Sequence, residues 1–194
     1  ADFTELTSDE GYYWFYSTQL ELGYYDHPPM LAFLIHLGQL LFQNEFSVRC
    51  GSVLLVSASL FLFFELLPKH LRNNNWLYLL LLAVPLLNYI NILVFPDTPL
   101  LAYEILFLFA FKQFLEKESW RATILIGLSV ALMFYSKYHG VLVLFFALLS
   151  KPKLFLHYKM YIAGFIALLL FLPHLLWLYT NGFPTFTYHV DGRI

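Results

Sequence analysis

SVRCGSVLLVSASLFLFFELL, residues 47–67, decides how this chain folds. Its 21 residues carry charge only at Arg49, near the start, and Glu65, near the end. A helix rises 1.5 Å per residue and bilayer hydrocarbon is about 30 Å thick, so about 20 apolar residues cross it. Ser47–Leu67 meets that length. Working outward, Trp76–Phe95 nearly does, Pro99–Phe114 and Arg121–Ser136 are short spans, and Met160–Trp177 completes the set. Val141–Ser150 is shorter still, and either borrows flanking residues or enters only part way. The pattern predicts six spans in an all-α, polytopic transmembrane bundle.

Composition agrees. Of 194 residues, 60% are hydrophobic and 12% charged, and mean hydropathy is +0.66. Soluble domains carry about 45–50% apolar and about 25% charged residues, so a water-soluble core is excluded and a lipid bilayer is the expected surrounding. Net charge is -2 and no basic tract occurs, which leaves no electrostatic footprint for nucleic acid. The single Cys50 permits no intrachain disulfide. The chain starts at Ala1 and stops after Ile194 without terminal signals, and both ends read as cuts in a longer protein.

The breaks between spans alternate in character. One set is basic: Lys69 and Arg72; Lys112, Lys117 and Arg121; Lys151, Lys153 and Lys159. The other holds acids, histidines and prolines: Asp9-Glu10, Asp26-His27-Pro28-Pro29, Pro96-Asp97-Thr98-Pro99, Lys137-Tyr138-His139 and His189 to Arg193. Under the positive-inside rule the basic set faces the cytoplasm and the second set the other side. Arg49, Lys137 and Arg193 are then the only cations outside the basic breaks.

Residues 1–46 form a first extracytoplasmic loop, with 47–194 supplying the spans and short connections. Thr7-Ser8-Asp9-Glu10 has the Thr-x-x-Glu form of a capping box, followed by an aromatic stretch, Tyr12–Leu22, suited to the membrane interface. Gly23 is expected to end that helix. Pro28-Pro29 opens a second, Met30–Phe42, too short to cross. Two helices on the outer surface are the economical reading.

Each polar group has a plain and a chemical reading. Asp9 and Glu10 cap a helix and complement its dipole, or one acts as general base toward an acceptor hydroxyl. Asp26 and His27 belong to a rigid turn, or supply two ligands to a divalent metal. Asp97 caps the following helix, or serves a site at the membrane surface. Lys137 and Arg49 snorkel, or bind phosphate. Glu65 and Glu104 read as helix-end or packing acids, and His36, His70, His157 and His174 as interfacial or packing residues.

Ser8-Asp9-Glu10-Gly11-Tyr12-Tyr13-Trp14, Gly23-Tyr24-Tyr25-Asp26-His27-Pro28-Pro29-Met30, Phe46-Ser47-Val48-Arg49, Pro96-Asp97-Thr98-Pro99-Leu100 and Ser136-Lys137-Tyr138 together resemble a known family. It comprises the bacterial lipid-linked-sugar glycosyltransferases related to protein O-mannosyltransferases and to the aminoarabinose transferase that modifies lipid A, which have the GT-C fold. The resemblance implies inverting sugar transfer from a polyprenyl-phosphate donor to an acceptor hydroxyl on a glycan, lipid or protein. It also implies a multi-pass protein of a bacterial inner membrane, with its site facing the periplasm or exterior. By position, Asp9 would be the general base, Asp97 (with Glu10) the assisting acid, and Lys137 the cation that meets lipid phosphate. His27 and Tyr138 stand beside it as binding residues, with a lysine expected where His27 stands. The Tyr188–Arg193 tail resembles a His-x-x-x-Arg segment in which His189, with Asp26, holds a divalent metal while Arg193 approaches phosphate. Family members are much longer, so this stretch alone is expected to be inactive. A transporter, or a noncatalytic lipid-binding subunit, is the competing reading; transporters place their charged groups near the bilayer midplane, whereas these acids gather toward one face.

Overall fold

The computed structural model describes residues 5–72, 74–83 and 94–190. Every regular element among them is helical: α1 Ser8–Thr18, α2 Met30–Gln39, α3 Glu45–Leu66, α4 Lys69–Arg72, α5 Asn75–Ala83, α6 Asp97–Lys117, α7 Trp120–Ser136, α8 Gly140–Ser150, a 3-10 turn Pro152–Leu156, α9 Tyr158–Thr180 and α10 Pro184–Val190. Among these, α3, α6 and α9 are long and apolar enough to cross a membrane. Helix α7, with 17 residues, reaches about 25 Å, whereas the 11 residues of α8 reach only about 16 Å. The weakest expected span is therefore a partial one, ended by the 3-10 turn. The expected span Trp76–Phe95 begins as α5, and its remainder lies largely outside the described residues.

Packing runs α1–α2–α3–α6–α7–α9, each helix against the next, with α8 against α6 and α7. The larger core joins Phe107, Phe111 and Phe114 of α6 to Ile126, Val130 and Met133 of α7, with Ala163 and Ala167 of α9. Leu54, Phe61, Phe145, Phe146, Leu168 and Leu169 are exposed on the outside. A helix apolar on all sides needs lipid, rather than water, around its outer face. Close approach at the α2–α3 crossing depends on Gly38, where an added Cβ would lie 2.0 Å from the carbonyl oxygen of Ser47. Small residues serve this purpose in membrane bundles, where helices are not driven together by excluding water.

The alternation of breaks becomes two ends of one bundle. At the basic end, Lys112 Nζ donates to the carbonyls of Glu65 (3.3 Å) and Leu66 (3.2 Å), satisfying the last turn of α3. Arg72 pairs with Glu65 at 2.9 Å. His157 meets Glu118 at 3.1 Å, and Lys159 donates to the Glu118 carbonyl. The other end collects α1, α2, the loop between them, the start of α6, residues 137–139 and the end of α9.

Two helices at the outer end stop well short of the sequence reading. Helix α1 stops at Thr18, well before Gly23, because the Tyr24 hydroxyl folds back to donate toward the carbonyls of Tyr16 (2.9 Å) and Gln19 (3.0 Å). Helix α2 ends at Gln39 rather than Phe42, closing in a turn in which Leu41 N–H and Phe42 N–H both donate to Gly38 O.

Candidate functional site

The site begins at the α1 capping box. Glu10 N–H donates to Thr7 Oγ1 at 3.3 Å, and Thr7 N–H donates to Glu10 Oε2 at 3.0 Å. The same carboxylate receives a two-pronged bond from α3: Arg49 Nε to Oε1 and Arg49 Nη2 to Oε2, each 2.7 Å. The two side chains are 1% and 7% exposed. Burial alone would raise the Glu10 carboxyl, but the Arg49 and Thr7 hydrogen bonds and the guanidinium charge hold it below its ordinary value. Glu10 therefore caps α1 and ties it to α3 in one contact. Asp9 precedes it by one residue, about 100° around the helix, and is exposed. Adjacent in sequence, the two acids face different surroundings.

Tyrosines connect α1 to the loop that follows. Tyr16 stacks on Tyr24 at 4.1 Å between ring centres. Tyr12 and Tyr16 share a hydroxyl–hydroxyl hydrogen bond, and Tyr16 Oη donates to Asp26 Oδ1 at 3.0 Å. Asp26 Oδ2 lies 3.7 Å from His27 Nε2. Tyr13, buried in the smaller core with Leu31, Ile35 and Val48, reports on its surroundings. Burial pushes its phenol up, and the charges of Asp26, Asp9 and Asp97, together with Tyr12, push it further. Three carboxylates distant in sequence thus act on one ring.

Asp97 opens α6. Its two oxygens accept from Lys137 Nζ at 2.8 and 3.0 Å, joining the α6 start to the break after α7. The Asp97 side chain is 53% exposed and that of Lys137 23%, so solvent and ligand can reach this pair. Exposed pairs of this kind contribute about 0–1 kcal/mol. Asp9, Asp26, Asp97 and Lys137 thus converge at one end of the bundle. Glu10 and Arg49 stand apart as a buried pair.

Tyr138, expected beside Lys137 as a binding residue, is tied to the end of α9. Its hydroxyl meets His174 Nε2 at 2.7 Å and also the Thr185 side chain. Burial pushes the phenol up to about 12, with the Thr185 bond pulling the other way. His174, expected to be a packing residue, is fully buried and bonds the carbonyl of Leu22 through Nδ1 at 2.6 Å. No local signal in the sequence marks this contact, which spans 152 residues. Gly23 is needed here because an added Cβ would lie 2.4 Å from Trp177 Cε3.

The metal expectation rests on Asp26 and His189. Residue 189 falls in α10 with its side chain outside the described residues, and Arg193 also lies outside them. Among the described residues no three His, Cys, Asp or Glu side chains form a metal-holding group. Asp26 and His27 offer two donors, and Asp26 already accepts from Tyr16. A divalent cation takes more ligands than that, so the described residues do not make a fit for one. Along the flank, Leu22, Leu169, Leu172, Pro173, Leu176 and Trp177 line an open apolar groove that leads to the same end of the bundle.

Comparison with known proteins matches residues 26–177 to the family described as dolichyl-phosphate-mannose-protein mannosyltransferase. Lipid A galacturonosyltransferase RgtD of Rhizobium johnstonii is 27% identical over 184 residues, covering 91% of this chain and 39% of that protein. The chain thus spans about two fifths of that relative's length. No solved structure matches it.

Proposed function

The chain belongs to the dolichyl-phosphate-mannose-protein mannosyltransferase family, and from that premise we propose that it carries the catalytic face of a glycosyltransferase using a polyprenyl-phosphate-linked sugar. The observation that supports this most is the placement of exposed Asp9, Asp26 and the Asp97–Lys137 pair at the end of the bundle opposite the basic breaks. Acids collected at one end suit surface chemistry better than a relay across the bilayer midplane.

In the proposed reaction, Asp9 accepts the proton of an acceptor hydroxyl as its oxygen attacks the anomeric carbon. The new C–O bond forms as the bond from that carbon to the phosphate oxygen breaks on the opposite face, so configuration inverts. Polyprenyl phosphate leaves with the bonding electrons. It is already a good leaving group and needs charge stabilisation more than a general acid. Lys137 provides this, exchanging the Asp97 carboxylate for phosphate. Asp97, released from Lys137, orients the acceptor. Asp26 and His27 line the acceptor side, while Glu10 and Arg49 hold the frame without touching substrate. The apolar groove beside Leu22 and Trp177 is where the first isoprene units lie.

In this reading the site faces away from the cytoplasm, a side favoured by the basic breaks gathered at the other end. The name of the RgtD relative points to a uronic acid as the sugar and a lipid A-type glycolipid as the acceptor. The test is donor choice by the full-length protein in membranes, offered labelled polyprenyl-phosphate sugars or the matching nucleotide sugars. Transfer from the lipid-linked donor is expected. Transfer from the nucleotide sugar alone would overturn the reading.

A further inference from the structure

We propose that His174, Tyr138 and Thr185 form a latch that positions the Lys137 break and the Asp26–His27 turn relative to each other. The proposal rests on the glycosyltransferase reading above. His174 sits in the outer half of α9 with both ring nitrogens engaged. A carbonyl only accepts, so Nδ1 carries the proton toward Leu22 O (2.6 Å), and Nε2 of the neutral ring accepts from Tyr138 Oη (2.7 Å). Thr185, buried at the start of α10, donates to Tyr24 O at 3.1 Å and also meets Tyr138. Side chains from two elements thus hold the carbonyls on either side of Gly23. Trp177 presses on Gly23 and donates Nε1–H to Glu21 Oε2 at 3.1 Å.

The position of His174 is itself set by an unusual contact. Pro173 interrupts the hydrogen-bond ladder of α9. Tyr135 of α7 donates its hydroxyl to Leu170 O at 3.0 Å and hydrogen-bonds the His174 backbone. Entry of a side chain into a helix ladder fixes a local bend. A core histidine serving only to satisfy itself would bond its own or neighbouring helices. This one bonds the residue next to Lys137 and the loop leading to Asp26. That bond path, Tyr138–His174–Leu22, begins at the residue after Lys137 and ends in the loop that leads to Asp26, in parts of the sequence that share no secondary structure.

The latch predicts a kinetic effect separable from folding. Tyr138→Phe keeps the ring and its packing but removes the bond to His174. In the full-length protein, with a labelled polyprenyl-phosphate sugar as donor, kcat is expected to fall by about 10- to 100-fold, the scale of a small misplacement of a catalytic group. The donor KM should change less, because the Lys137 charge matters most as the phosphate leaves. The melting temperature should fall modestly, because His174 Nε2 is left buried without its donor, so kcat is compared per folded protein at a temperature well below both transitions. His174→Asn, whose amide nitrogen overlays Nδ1, retains the Leu22 bond and should resemble Tyr138→Phe. His174→Gln reaches toward Tyr138 instead and should impair transfer by freeing the 22–27 loop. A Tyr138→Phe kcat within twofold of wild type, with Asp9→Asn inactive in the same assay, would overturn the latch while leaving the parent reading intact. So would activity lost only in proportion to unfolded protein. No transfer by wild type would remove the parent reading and the latch with it.

Discussion

Glu10→Gln tests whether the acids of the Asp9-Glu10 pair have separate tasks. Glutamine at this position still accepts from Thr7 N–H, since a capping box works with Glu or Gln. The start of α1 is thereby kept, and the substitution isolates the charge. What it leaves behind is the Arg49 guanidinium, 7% exposed, which loses the anionic partner it held at 2.7 Å through both Nε and Nη2. Removing one member of a buried ion pair costs about 3–5 kcal/mol, because the remaining charge stays desolvated. Arg49→Met should cost a similar amount by stranding the carboxylate. The double variant should be much less damaged than the sum, with a coupling of at least about 2 kcal/mol. Equilibrium unfolding of the full-length protein in mixed micelles measures all four corners of the cycle. Additivity within about 0.5 kcal/mol, the behaviour of independent sites, would refute the buried pair as the tie between α1 and α3.

The same carboxylate gives a pH dependence. Because its folded pKa is depressed below 4.5, its contribution is present above about that pH and is lost as pH falls through the folded value. The stability gap between wild type and Glu10→Gln should therefore be constant near neutrality and shrink in acid; a gap that widens in acid contradicts the sign. Lys137→Met should lower transfer by about 10²–10³-fold, the scale for loss of one group stabilising developing charge, and Lys137→Arg should recover part of it. A rate within twofold of wild type for Lys137→Met would remove phosphate from its role. Gly38→Ala should destabilise the bundle by about 1–3 kcal/mol, because its Cβ meets the Ser47 carbonyl, which is backbone and cannot rotate away. An unchanged melting temperature would mean that the α2–α3 crossing is looser than described.

Much of this architecture could be read from the chain. Spans announce themselves by apolar length, and the α1 cap by Thr7 and Glu10 at a fixed spacing. The two ends of the bundle follow from where lysines and arginines fall. Asp97 and Lys137 could be placed together because both occupy breaks of the same parity. What stayed hidden was the partner of each polar group. Nothing near Glu10 signals that Arg49, 39 residues on, will take both its oxygens. Nothing near His174 signals Leu22. Glycine is the usual helix terminator, yet α1 ends before Gly23 because a tyrosine hydroxyl from the following loop takes up the last carbonyls. Gly23 serves instead to admit Trp177. Side-chain tethers of this kind depend on tertiary placement, which local pattern does not encode.

In the proposed reaction, sugar transfer by this protein turns on Asp9 as the base. Single-turnover transfer of labelled sugar from a polyprenyl-phosphate donor, by full-length wild type and Asp9→Asn in liposomes, tests it most directly. A loss of at least about 10²-fold is expected for Asp9→Asn, the lower range for a general base, with unfolding stability unchanged because Asp9 is exposed. Equal rates for the two proteins would contradict it.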